Sequence, residues 1–333
     1  MLYQEQGVIV VDPRKMVDAD SGSANNQFTE KRSQAQSSSF VSSFSEDSPL
    51  GAQLAQDREL LRKVKSSKFK KPLKARVITV ANQKGGVGKT TSAVNMAAAL
   101  ADGGLNVVVI DFDPQGNAST ALGVDHQSGI PSIYDVITNK RSLSEILIKC
   151  PDLDRLYLAP ATVDLSSAEI ELVTEQEREY RLKRAVDELV NVSRETFDVD
   201  YVIIDCPPSL GLLTLNALVA AQEIMIPIQT EYYALEGLTQ LMKTIDYVQK
   251  SLNPQLVIST ILLTMYDKRT NLSQDVAQEV RNYFPQQTLS VEIPRNIRIS
   301  EAPSFQQTVI TYDPRSTGAV AYLAAAKELA SRA

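Results

Sequence analysis

The apolar positions of this chain change rhythm near residue 76. From Val77 onward, short runs rich in Val and Ile alternate with longer runs whose apolar residues recur at helical spacing. The short runs predict strands at Val77–Ala81, Val107–Asp111, Leu156–Ala159, Tyr201–Asp205, Glu223–Pro227 and Val257–Leu263. The longer runs predict helices at Thr90–Asp102, Ile133–Thr138, Asp164–Val190, Leu210–Ala221, Ala234–Leu252, Ser273–Tyr283 and Ala319–Arg332. Continuous apolar, β-branched strands suit a sheet buried on both faces. Strand–helix alternation implies right-handed βαβ units. The expected fold is α/β, a mostly parallel twisted sheet with helices on both faces. All strand carboxyl ends then lie along one edge, where open α/β sheets bind ligands.

Residues 1 to about 57 show neither rhythm. Eight of the sixteen residues from Ser33 to Ser48 are serine. That leaves too little apolar surface to offset the entropy of ordering. Gly7-Val8-Ile9-Val10-Val11 is a short exception, readable as a docking strand or as chance composition. Arg58 to Arg76 holds nine Lys or Arg residues, either a solvated linker or an arm that tracks phosphates or an acidic surface. It shows no amphipathic helix pair with a turn, which argues against a helix-turn-helix reader of operator DNA. The expected division is a disordered Ser-rich and basic extension over 1–75 and one α/β domain over 76–333.

Composition narrows the function classes. With 333 residues, 43% hydrophobic and 22% charged, the chain can bury one large core. Residues 1–76 carry 13 Lys and Arg against 9 Asp and Glu, and the rest carry 21 against 31. The main domain is therefore acidic, so any nucleic-acid contact must use a local basic patch. No apolar run reaches bilayer-spanning length, and Met1-Leu2-Tyr3-Gln4-Glu5 lacks the features of a secretory leader. Cys150 and Cys206 are far apart and lack metal-ligand spacing, which fits a reducing cytoplasm. The single His126 excludes His-rich metal sites and reads as a loop residue.

The densest chemistry lies in Lys84-Gly85-Gly86-Val87-Gly88-Lys89-Thr90-Thr91, between a predicted strand and a predicted helix. Glycines let backbone N–H groups turn inward around an anion, and the helix start adds its positive dipole end. Lys89 supplies a cation for the β and γ phosphates of a nucleotide, and the Thr90 hydroxyl suits a Mg²⁺ ligand. The usual phosphate-loop pattern places its first glycine at position 83, which is Gln83 here; an extra lysine, Lys84, follows it.

These residues resemble the deviant Walker A loop of the ParA/MinD ATPases, a branch of the P-loop NTPase fold. Ile110-Asp111-Phe112-Asp113-Pro114-Gln115-Gly116-Asn117 resembles that family's second motif, and Tyr201-Val202-Ile203-Ile204-Asp205-Cys206-Pro207-Pro208 its Walker B strand and switch. Thr264-Met265-Tyr266-Asp267 and Ile293-Pro294-Arg295-Asn296 resemble later segments of the chromosomal, Soj-type ParA branch. The likeness covers about residues 76 to 333. It implies ATP hydrolysis with Mg²⁺ held by Thr90 and Asp205, the latter through a water, and Asp111 bracing the metal site. It implies that Asp113 orients or deprotonates the attacking water, and that Lys84 reaches across an ATP-bound homodimer to the partner's nucleotide. Gly85, Gly86, Val87, Gly88, Lys89, Thr90 and Thr91 would line the phosphates. Pro294 and Asn296 would lie near the adenine. No Asn-Lys-x-Asp guanine-reading segment occurs, since Asn139-Lys140-Arg141-Ser142 lacks the Asp.

The resemblance further implies a partitioning switch in the cytoplasm, associated with the nucleoid. Its ATP dimer would bind DNA without sequence preference through Arg269 and Arg298, and a ParB-type centromere-binding protein would stimulate hydrolysis. Alternatives are a positioning ATPase for another cargo, a MinD-like membrane-cycling ATPase, and an iron–sulfur reductase. The Ala-rich end from Ala319 to Ala333 reads as a packing helix rather than a membrane-binding one. The two cysteines do not match the cluster positions of the iron protein. No membrane partner is expected.

Overall fold

The computed structural model describes residues 49–192 and 198–332. The Ser-rich stretch and the Gly7–Val11 run lie outside them. Seven strands form one sheet: β1 (Arg76–Val80), β2 (Val107–Asp111), β3 (Ile148–Lys149), β4 (Leu156–Ala159), β5 (Tyr201–Asp205), β6 (Glu223–Gln229) and β7 (Val257–Thr264). Their order is β3-β4-β2-β5-β1-β6-β7. All pairings are parallel except β3 with β4. The carboxyl ends of β1, β2, β5, β6 and β7 therefore share one edge.

Period-two alternation splits each strand between two cores. Val77, Val108, Ile110, Val202, Ile204, Ile224 and Ile226 face one apolar cluster, and Ile78, Val80, Val107, Val109, Tyr201, Ile203 and Met225 face the other. Both faces are dry, which is why the strands read as continuous apolar runs. On the second face, α2 (Lys89–Asp102) packs against α12 (Thr317–Ser331). Alanines 97 to 99 and 324 to 326 are buried there, and their small side chains permit close approach of the two helices.

Strand boundaries match the sequence reading within two residues. Three features differ. The expected helix Asp164–Val190 is broken into Leu165–Glu171 and Arg181–Val192, with Glu177 between them at φ 52. The five consecutive polar residues Glu175 to Glu179 offer no apolar side chain to bury for more than a turn. The two-residue edge strand β3 is exposed on both residues, so it leaves no hydrophobic signal. The third difference concerns the extension expected to run to residue 75. Pro49–Lys65 is instead a helix (α1), and Val64 and Phe69 are buried in the second core. Apolar pegs spaced among lysines hold this stretch down, and lysine-rich composition masks them.

Candidate functional site

The loop after β1 sits at the centre of the sheet, between the ends of β5 and β6. Gly86 and Gly88 adopt φ of 75° and 86°, a region open to glycine, and Gly88 is the residue from which α2 starts. A methyl group added at Gly85 or Gly86 would meet no protein atom within 4 Å, so the loop faces open space at both glycines. Its flanks are pinned. Asn82 donates to the Pro227 carbonyl at 2.8 Å and accepts from the Lys84 amide at 3.0 Å. The buried Thr264 hydroxyl donates to the Val87 carbonyl at 2.9 Å.

The two lysines of the loop have different environments. Lys89 is 8% exposed, and its Nζ donates to the Lys84 carbonyl at 3.1 Å. Burial pulls its pKa below the ordinary lysine value, against the opposing pull of Asp205, Cys206 and Asp113. Lys84 is about one third exposed and forms an ion pair with Glu231, just beyond β6. Its ammonium is therefore held by an acid of the segment after β6, whereas the Lys89 ammonium is held by the loop's own backbone.

Three carboxylates converge beside the loop. Asp205 ends β5 and is fully buried, and neither of its carboxylate oxygens has a hydrogen-bond partner among the described residues. Burial raises its pKa well above the usual range, and the neighbouring Asp111 adds to this; the nearby Thr90 hydroxyl and Lys89 ammonium offset part of it. An orphaned buried carboxylate costs stability unless a cation joins it. Among the described residues no cluster of three or more His, Cys, Asp and Glu could hold a metal. One carboxylate plus a threonine hydroxyl is nevertheless the modest donor set that Mg²⁺, which retains several waters, takes from a protein.

Asp111, the register partner of Asp205, has its carboxylate engaged by local donors. Its Oδ2 accepts from the Ser119 amide and hydroxyl, both at 2.7 Å, and its Oδ1 accepts from the Asp113 amide at 3.3 Å. It thereby organises the turn that carries Asp113. Burial pushes its pKa up to about 6 despite those donors. Asp113 is 8% exposed, and one of its carboxylate oxygens accepts from the Gln115 amide at 3.0 Å. The Phe112 amide donates to the Asp205 carbonyl at 2.9 Å, which keeps the two acidic turns together.

Pro294 pairs with Tyr266 beyond β7, so the two later segments run side by side. The Asn296 side chain accepts from the Arg298 amide at 2.8 Å and donates to Thr317 at 2.7 Å, capping one short helix and tying it to α12. Arg269 is 83% exposed and bidentate on Asp267, at 2.9 and 2.7 Å. Arg298 pairs with Glu301 at 2.9 Å and Asp313 at 3.5 Å. Both candidate DNA contacts thus carry a local counter-charge. The sequence reading missed Glu231, Asn82 and Ser119, and it placed Thr264 in a family-like segment without assigning it a role. Glu231 and Thr264 act through contacts that chain spacing does not encode, 147 and 177 residues from Lys84 and Val87, while Asn82 and Ser119 also act locally, two and eight residues from Lys84 and Asp111.

Comparison with known proteins agrees with this geometry. Residues 75–258 match the family model described as AAA domain. The chain is 50% identical over 257 residues to the chromosome partitioning protein ParA of Myxococcus xanthus, covering 77% of this chain and 88% of that one. It is 50% identical over 256 residues to the sporulation initiation inhibitor protein Soj of Bacillus subtilis, covering 77% and 98%. A solved structure titled cobyrinic acid a,c-diamide synthase, from Mycobacterium smegmatis with bound ATP analogue and magnesium, superposes with a TM-score of 0.64 at 39% identity, over 77% of this chain and 93% of that one. The chain belongs to the ParA/Soj family of chromosome-partitioning ATPases, in the deviant Walker A group that also contains MinD.

Proposed function

We propose that this chain is an ATP-dependent switch for partitioning DNA, working as a nucleotide-bound homodimer in the cytoplasm on the nucleoid. The observation that carries this reading is the orphaned, fully buried Asp205 carboxylate beside an open glycine loop, with Lys84 ion-paired to Glu231. Lys89 and the loop amides of residues 85 to 91 hold the β and γ phosphates. Thr90 and Asp205 hold Mg²⁺, which, when bound, neutralises phosphate charge during transfer. Asp113 orients the attacking water, and Pro294 and Asn296 border the adenine. Lys84 leaves Glu231 and serves the partner's nucleotide, a cation supplied in trans.

Dimerisation would bring two copies of Arg269 and Arg298 onto one face. Such a patch binds phosphates without base information. A ParB-type partner stimulates hydrolysis and so releases the dimer from DNA. Among the described residues no helix is long and apolar enough to cross a membrane. The test is light scattering and DNA band shift with ATP, with ADP and without nucleotide. Only ATP should yield a dimer, and that dimer should retard unrelated DNA sequences equally and at lower protein concentration than the ADP-bound or nucleotide-free chain. A protein that stays monomeric with ATP would sink this reading.

A further inference from the structure

Residues 58–74 carry eight Lys and Arg against one acid, Glu59. Family likeness does not account for this stretch: the Bacillus relative is covered over 98% of its length by 77% of this chain, and the family model begins at residue 75. The stretch is nevertheless built into the fold. Val64, Phe69 and Pro72 are buried, and Leu61 is half-buried. The Phe69 ring presses on Gly103 so closely that a Cβ there would come within 2.5 Å of it. Lys327 donates to the Lys63 and Val64 carbonyls at 2.6 and 2.9 Å, satisfying acceptors at the end of α1.

Between these pegs every Lys and Arg from 58 to 74 is exposed. Lys63 pairs with Glu59, Lys65 faces Asp102 at 3.8 Å, and Lys71 is shared by Asp198 and Asp200. Among the described residues Arg58, Arg62, Lys68 and Lys74 make no ion pair. A row of outward cations on an already ordered backbone binds a polyanion without the ordering cost of a free arm.

We propose that residues 58–74 form a second nucleic-acid surface, which holds the phosphate backbone of duplex DNA without reading bases and without nucleotide. On α1, Val64 is buried in the core and Leu61 packs partly against it, so these two apolar side chains are turned from solvent while the cations are exposed. The one aromatic residue of the stretch, Phe69, is buried and cannot stack on bases, which leaves phosphate contacts alone. The cations are strung along a helix and the chain after it: Arg58, Arg62, Lys63 and Lys65 lie on α1, and Lys68, Lys70, Lys71 and Lys74 follow it. The row lies at the edge opposite the phosphate loop: Arg76 opens β1, and Asp200, a partner of Lys71, directly precedes β5.

Fluorescence anisotropy of two unrelated DNA duplexes, with the full chain, no nucleotide and a salt series, tests this. Both duplexes should bind equally, with log K falling linearly as log salt rises. Replacing Arg58, Arg62, Lys68 and Lys74 together by Glu should flatten that slope by roughly 3 to 4, one counterion step per lost phosphate contact. ATP turnover and thermal unfolding should stay unchanged. The matching quadruple Gln variant, which removes charge without adding any, should flatten the slope as well. An unchanged slope in both variants overturns the proposal, and so does equal or tighter binding to phosphatidylserine vesicles in the same series. Arg269→Glu with Arg298→Glu should leave this nucleotide-free slope intact; a loss there would assign the binding to the other surface. Nucleotide is omitted throughout, so failure here leaves the ATP-dependent reading standing.

Discussion

Asp111 and Asp205 are register partners at the carboxyl ends of β2 and β5, and both side chains are sealed from solvent. Two buried acids side by side resist ionising together. Both pKa values are raised in the folded state, Asp111 to about 6. A raised acid stabilises the fold fully below its unfolded pKa, and that stability is lost as pH rises through the folded pKa. Chemical denaturation of the nucleotide-free protein should therefore show stability falling as pH rises from the ordinary Asp range through about 6, the folded-state value of Asp111. Asp205→Asn should shrink the fall. A flat profile would show that the pair does not titrate in that window.

Lys84→Ala should keep one nucleotide per monomer but fail to form the ATP dimer, measured by equilibrium dialysis and size exclusion. Glu231→Ala frees Lys84 in the monomer and should favour the dimer at lower ATP. Normal dimerisation by Lys84→Ala would reduce Lys84 to a loop residue.

Asp113→Ala should bind ATP and dimerise while turning over at least about a hundredfold more slowly, because only water positioning is lost. Lys89→Ala should lose nucleotide binding outright. A monomeric Asp113→Ala protein in ATP would contradict the division of labour between these two residues.

Asp267→Asn removes the carboxylate that grips Arg269 and should tighten ATP-dependent DNA binding, roughly twofold to fivefold at low salt. Arg269→Glu with Arg298→Glu should abolish that binding with dimerisation intact. Equal affinity of Asp267→Asn and wild type in a band-shift series would remove Arg269 from the contact surface.

Phe69→Ala leaves a void against Gly103 and should cost about 2 to 4 kcal/mol in urea unfolding. A chain starting at Lys74 lacks Val64 and Phe69 together and should melt below one starting at Arg58. Identical melting would mean that the stretch rests on the core without stabilising it.

The phosphate loop was legible because its residues are contiguous and its geometry needs glycine at fixed places. The central strands were legible because both faces are buried, leaving uninterrupted Val and Ile. What sequence did not show was pairing across distance. Glu231 on Lys84 and Thr264 on Val87 are meetings made by the sheet edge, and no periodicity announces them. The break at Glu177 and the exposed strand β3 escaped for the opposite reason: neither buries enough to leave a pattern. Val64 and Phe69 were hidden by the charge around them.

The hydroxyl of Thr264 on the Val87 carbonyl has a mechanical consequence. Thr264 is the last residue of β7, Met265 follows it at φ 51, and Arg269 stands five residues on. The loop that faces the ligand space and the segment that bears an exposed arginine are thus the two arms of one short lever, with a conformationally taut pivot at Met265. Displacing Val87 must tug on β7 or break that hydrogen bond, and either event alters the seat of the Asp267–Arg269 clasp. Thr264→Val would cut the linkage while leaving both arms in place.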